Sequence, residues 1–168
     1  MKTLMLLRHA KSDWDSGVTD DFDRPLASRG GKAAKRMAVW MKSQRIVPDY
    51  VMCSSAVRAR ETMEILRHEL TLNTALVKFE RRLYLADVHE LLAILGDLPN
   101  NVKSVMLVGH NPGLEDLLTY LCGDDVPAAA NGKLMPTAAL ARISLPDDWK
   151  HLKRGAGVIL AVTRPKEL

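Results

Sequence analysis

The chain has 168 residues, 47% apolar and 26% charged, which suits one folded domain with a sizeable core and excludes a disordered or collagen-like chain. Lys plus Arg number 24 against 20 Asp plus Glu; with a net charge of only +4, scattered cations and 5% aromatics, the composition argues against a nucleic-acid binder. Two cysteines, Cys53 and Cys122, are too few for a disulfide framework and read as free thiols of a reducing cytosol.

Residues 2–7 are apolar on both faces, as in a central strand of a parallel sheet. Arg8-His9 interrupts that run before it reaches the length of a signal-peptide core or a membrane span, so the chain is expected to be soluble, cytoplasmic and free of membrane. Residues 10–27 are polar, rich in Asp, Ser and Gly, and read as a long loop. Ser28 can cap a helix running to about residue 43, with Ala33, Met37, Trp40 and Met41 on one buried face. A second strand over 50–53 leads into a helix over about 56–70, with Met63, Leu66 and Leu70 inward. Residues 75–79 read as a third strand. Asp87, three residues before Glu90, has capping-box chemistry, and Val88, Leu91, Leu92 and Leu95 mark the helical face that follows.

Residues 104–108 are the clearest strand. Asn111-Pro112 offers a cap and a first-turn proline to a helix carrying Leu114, Leu117, Leu118 and Leu121, which Gly123 ends. Residues 138–145 and 158–163 read as two closing strands, joined by a turn-rich connection over 146–157. Alternating strands and helices predict an α/β three-layer sandwich: a mostly parallel central sheet with helices on both faces, one domain over 1–168.

Functional loops of such a sheet lie at the carboxyl ends of its strands. Arg8 and His9 follow the first strand, Ser54, Ser55 and Arg58 the second, and Gly109 and His110 the 104–108 strand. Each group alone has a plain structural explanation: a solvated Arg-His pair, a weak Ser-Ser-x-x-Arg, a capping turn. Together they converge on one rim. Arginine forks match phosphoryl oxygens and stay charged at working pH. A neutral histidine can act as nucleophile, and a second can donate to developing charge. The set describes a phosphoryl site, toward which the helix after Asn111 would point its first amides. Cys53 invites comparison with a cysteine phosphatase, but that chemistry needs five residues between thiolate and arginine, and only four precede Arg58. No HxH or HExxH pairing is present, and neither metal nor cofactor is expected.

In this order, Arg8-His9-Ala10, Ser54-Ser55-Ala56-Val57-Arg58-Ala59 with Thr62, and Gly109-His110-Asn111 resemble the histidine phosphatase superfamily. Arg8-His9-Ala10-Lys11-Ser12-Asp13-Trp14, Asp23-Arg24-Pro25-Leu26 with Arg29-Gly30, and Leu83-Tyr84-Leu85-Ala86 resemble its SixA-like phosphohistidine phosphatase branch, which accepts Ala at position 10 where the wider superfamily often has Gly. The resemblance implies a phosphoglycerate-mutase-like fold. It implies His9 as the nucleophile that takes the phosphoryl group, Arg8 and Arg58 as the clamp on its oxygens, His110 as a donor to an equatorial oxygen, and Arg24 and Ser12 as substrate-binding residues. Water would then hydrolyse phospho-His9.

The wider superfamily often supplies a carboxylate acid between its third strand and the next helix. Here that region holds Glu80 and Asp87. Asp87 is better explained as a helix cap and Glu80 as a solvated strand-edge residue. A phosphohistidine leaves as an imidazole, which can carry its own proton, whereas an alkoxide wants a general acid. The 79–91 connection is also too short for a lid. Both points favour phosphohistidine on a protein, such as a histidine phosphotransfer domain, with no nucleic-acid or membrane partner. The alternatives are a small-molecule phosphomonoesterase of the same superfamily and a non-catalytic phosphoprotein-binding module. A phosphoglycerate-mutase-like enzyme would normally carry larger insertions and a clear acid; a binding module would tend to lose the nucleophile, and His9 is intact.

Overall fold

A computed structural model describes residues 1–124 and 126–168. Strand β1 (Lys2–Arg8) alternates its side chains between two buried faces, Leu4 and Leu6 on one and Met5 and Leu7 on the other. It lies inside a six-stranded sheet with β2 (Tyr50–Ser54), β3 (Val77–Glu80), β4 (Ser104–Gly109), β5 (Leu140–Leu145) and β6 (Val158–Thr163), in the order β3-β2-β4-β1-β5-β6. β3, β2, β4 and β1 run parallel; β5 is antiparallel to β1, and β6 to β5.

Helices α1 (Ser28–Ser43) and α2 (Val57–Leu70) cover the face of Met5 and Leu7, while α3 (Val88–Gly96) and α4 (Gly113–Cys122) cover that of Leu4 and Leu6. The mostly parallel three-layer arrangement is therefore the one expected. Among the described residues no helix is long and apolar enough to cross a membrane.

Several local expectations need correction. The buried stripe of α1 is Ala34, Met37, Ala38 and Met41; Ala33 and Trp40 sit half-buried at its border. Ser28 is the first helical residue, and Ala27 occupies the cap position with no side-chain bond. The expected strand over 75–79 begins as a 3-10 turn (Thr74–Leu76), because the Asn73 side chain accepts from Ala75 N, and β3 starts at Val77.

At α4, Pro112 takes the cap position; Asn111 instead donates from Nδ2 to the Met135 carbonyl at 2.9 Å. Gly113 allows α4 to approach the segment leading into α3 closely: a Cβ there would stand 2.2 Å from the Ala86 carbonyl oxygen. Residues 138 and 139 precede β5, with Ala138 N donating to the carbonyls of Arg8 and His9 and Ala139 O accepting from Arg8 N, so they tie down the end of β1. The Asp87 capping box is present in both directions.

Candidate active site

β1, β4 and β2 are neighbours, and they end level with one another: Arg8 is paired with Gly109, and Cys53 with Val108. Arg8-His9, Ser54 with the first turn of α2, and His110 therefore meet at one rim. The His9 and His110 ring centroids lie 5.1 Å apart.

His9 is fixed from several sides. Its backbone N donates to Gly109 O at 3.0 Å. Its ring Nδ1 lies 2.7 Å from Ala10 O. A carbonyl only accepts, so Nδ1 carries the proton and Nε2 is left bare. Arg58 directs its Nε–H at that Nε2, at 3.4 Å. Burial, with the charges of the neighbouring His110, Arg58 and Arg8 and against the opposing Ala10 bond, pushes the His9 pKa down to about 3, so the ring is neutral at working pH. Thr62, fully buried, ties the segment after His9 to Arg58: its hydroxyl accepts from Ala10 N at 3.0 Å and donates to Arg58 O at 2.7 Å.

Arg58 does more than face His9. Nη1 donates to the Asp21 carbonyl at 2.6 Å and Nη2 to its carboxylate at 3.0 Å. The same carboxylate accepts from Tyr84 OH at 2.6 Å and pairs with Arg24 Nη1. The Tyr84, Arg24 and Arg58 bonds hold the Asp21 carboxyl well below the usual carboxylate range. An anion thus already sits on the groups of this corner. Arg24 stacks on the exposed Trp14, its guanidinium carbon 3.6 Å from the ring centroid, and donates from Nε to Ser12 Oγ at 3.0 Å. Ser12 is buried, and its hydroxyl orients Arg24.

His110 Nε2 lies 2.7 Å from Ser54 Oγ, while its buried Nδ1 has no protein partner. Burial lowers its pKa to about 4, with Arg58 contributing. The Tyr84 ring stands edge-on to His110 at 5.4 Å. Arg8 donates from Nη1 to Met135 O at 3.1 Å and keeps a buried Nε with no protein acceptor.

The other groups weighed as catalysts are engaged elsewhere. Glu80 caps the following turn and pairs with Arg82, whose hydrogen bonds lower its pKa. Asp87 is bound into the α3 capping box. Cys53 is fully buried, its Sγ within bonding distance of Ser54 O and Ala59 O, and burial pushes the thiol pKa far up. Among the described residues no group of three or more His, Cys, Asp or Glu converges as a set of metal ligands.

Sequence reasoning assigned no role to Asp21, Tyr84 or Thr62. Thr62 and Tyr84 were visible as parts of the quoted motifs. Asp21 had no signal beyond its nearness to Arg24 in an acidic loop.

A bare, neutral imidazole nitrogen beside two guanidinium groups and a second neutral imidazole can take up a phosphoryl group and stabilise its oxygens. The family model of the histidine phosphatase superfamily (branch 1) matches residues 4–83. The phosphohistidine phosphatase SixA of Escherichia coli (strain K12) is 28% identical over 145 residues, covering 86% of each chain. The putative phosphohistidine phosphatase SixA of Agrobacterium tumefaciens superposes with a TM-score of 0.83 at 29% identity, covering 98% of both chains. A protein histidine phosphatase SixA complexed with tungstate superposes at 0.81 and 27% identity, again over 98% of both. With the motifs at their strand ends and the phosphoglycerate-mutase-like sheet around them, the chain belongs to the histidine phosphatase superfamily and resembles its SixA-like branch.

Proposed function

We propose that the chain is a phosphatase that works through a phosphorylated His9, and that its substrate is phosphohistidine on a protein. One observation carries the reading: His9 is held neutral with Nε2 bare, and Arg58 is aimed at that nitrogen. The Nε2 lone pair attacks phosphorus as the P–N bond of the substrate breaks; the departing nitrogen keeps the electron pair, and the substrate imidazole, already protonated at its other nitrogen, leaves as a neutral ring. Arg8 and Arg58 neutralise the phosphoryl oxygens. The incoming dianion raises the proton affinity of His110, which donates to an equatorial oxygen. Displacing the Asp21 carboxylate from Arg58 and Arg24 lets the phosphoryl oxygens take its place. Water then attacks phospho-His9, releasing phosphate and restoring Nε2.

The leaving group supports the protein-phosphohistidine reading. Asp21 is held as a carboxylate, Glu80 is paired with Arg82, and Asp87 caps α3. An alkoxide leaving group without a proton donor forfeits a factor of about 10²–10⁴. A phosphohistidine escapes most of that loss.

Turnover of a phosphohistidine protein, an aryl phosphate and phosphoserine tests the proposal, in wild type and in His9→Ala, Glu80→Gln and Asp87→Asn. The expected order is phosphohistidine first and phosphoserine last, with activity lost in His9→Ala and nearly retained in the two carboxylate variants. Brisk phosphoserine hydrolysis, or a large catalytic loss at Glu80 or Asp87, would favour the small-molecule phosphomonoesterase. Binding without turnover would favour the non-catalytic module.

A further inference from the structure

A groove of about 550 Å³ opens beside Arg8, between α1, residues 129–137 and the C-terminal segment. Six of its cations, Lys11, Arg29, Lys32, Arg36, Lys133 and Lys166, make no ion pair among the described residues. Among the described residues the one carboxylate that lines it, Glu167, is engaged by Arg164 at 3.3 Å. Arg29, Lys32 and Arg36 recur at positions i, i+3 and i+7, a stripe of about 10 Å along one face of α1. Like charges gathered this way repel one another, so the groove is suited to an anionic occupant. It is contiguous with the candidate active site, because Arg8 belongs to both.

We propose that this groove docks an acidic segment of the phosphorylated protein, its Asp and Glu side chains lying along the α1 stripe while the phosphohistidine reaches His9. The inference rests on the reading of the substrate as a protein phosphohistidine. The construction of the groove favours carboxylates on a chain over a compact polyphosphate. Its donors are long, mostly exposed side chains, and Ala33, Pro136 and Pro165 contribute to its lining. The two prolines have no N–H, so they cannot add to a nest of backbone amides of the kind that cradles phosphate. Its length matches about three residues of extended chain.

Two peptides carrying phosphohistidine, one flanked by Asp and Glu and the other by Asn and Gln, provide the test. They are assayed with wild type, the double variants Lys32→Glu/Arg36→Glu and Lys32→Gln/Arg36→Gln, and Lys35→Glu, a control on the exposed part of α1 outside the groove. Wild type should show the higher kcat/KM with the acidic peptide, an advantage that shrinks with added salt. The Glu double variant should reduce the acidic-to-neutral ratio on the order of ten-fold, mainly through KM, and the Gln variant by less. Lys35→Glu should keep the ratio. Equal use of both peptides by wild type, or an equal loss in Lys35→Glu, would overturn the docking groove.

Binding of a labelled, unphosphorylated acidic peptide judges the groove separately from catalysis. If neither phosphopeptide is turned over but this peptide binds wild type and not the double variants, the functional reading fails and the groove stands. If it does not bind wild type, the groove falls. Tripolyphosphate binding in its place would assign the groove to a small polyanion.

Discussion

Burial keeps His9 and His110 neutral, with pKa values of about 3 and about 4. In the unfolded chain both return to about 6.5. As pH falls below that value the unfolded state binds protons that the folded state refuses, so stability is fully present above about pH 6.5 and drains away as pH falls toward the folded values. Between pH 7.5 and 5 the two rings together should cost on the order of 2–4 kcal/mol. The lowered carboxylates, Asp21 and Glu80, act in the same direction but at lower pH: their contribution is present above the unfolded carboxyl range and is lost as pH falls below it. Thermal unfolding at pH 7.5 and 5 should therefore show a smaller loss in His9→Asn/His110→Gln than in wild type. Equal losses would mean that the rings titrate normally when folded.

At this scale the meeting of His9, Arg8, Arg58 and His110 at one rim was legible because strand ends hold them in fixed positions. Asp21 was not. Its importance comes from Arg58, Arg24 and Tyr84 converging on it across the loop, and no periodicity marks such a contact. Ser12 was expected to bind substrate; its hydroxyl accepts from Arg24.

Among the elements, α1 depends on a close approach that a single atom would block. A Cβ on Gly30 would stand 2.1 Å from the Lys11 carbonyl oxygen, a backbone atom that also accepts from Ala27 N at 2.9 Å. Gly30→Ala must push α1 away from the segment that follows His9. Overpacking of this kind typically costs about 1–3 kcal/mol, visible as a lower urea midpoint with an unchanged slope. An unchanged midpoint would show that α1 slides freely.

The element borders that sequence reasoning placed well are those set by local chemistry: β6, the Asp87 capping box, and the Gly123 helix end with its positive φ of 78°. The start of β3 was misplaced because of the local Asn73 turn, and the helix borders that differ were decided by tertiary contacts. Asn111 had a cap to offer but found the Met135 carbonyl instead. The α1 stripe is centred on Ala34 and Ala38 because small side chains let α1 pack close to α2 and the sheet, and Trp40 is left at the border.

For the whole molecule, alternating strands and helices were enough to anticipate the parallel sheet and its functional rim. The order β2-β4-β1 then brings together groups up to 101 residues apart in sequence, such as His9 and His110. The basic groove was not legible. Its cations are dispersed from Lys11 to Lys166 and look like ordinary surface charge until the fold gathers them beside Arg8. Covalent catalysis by His9, as proposed above, would use Nε2, because Nδ1 is committed to Ala10 O. The most direct measurement is to quench turnover of a radiolabelled phosphohistidine protein in alkali and map the label on the enzyme. The account predicts label on His9, as the Nε2-phosphorylated isomer, and none in His9→Ala. Label on Cys53, on His110, or on Nδ1 of His9 would contradict it.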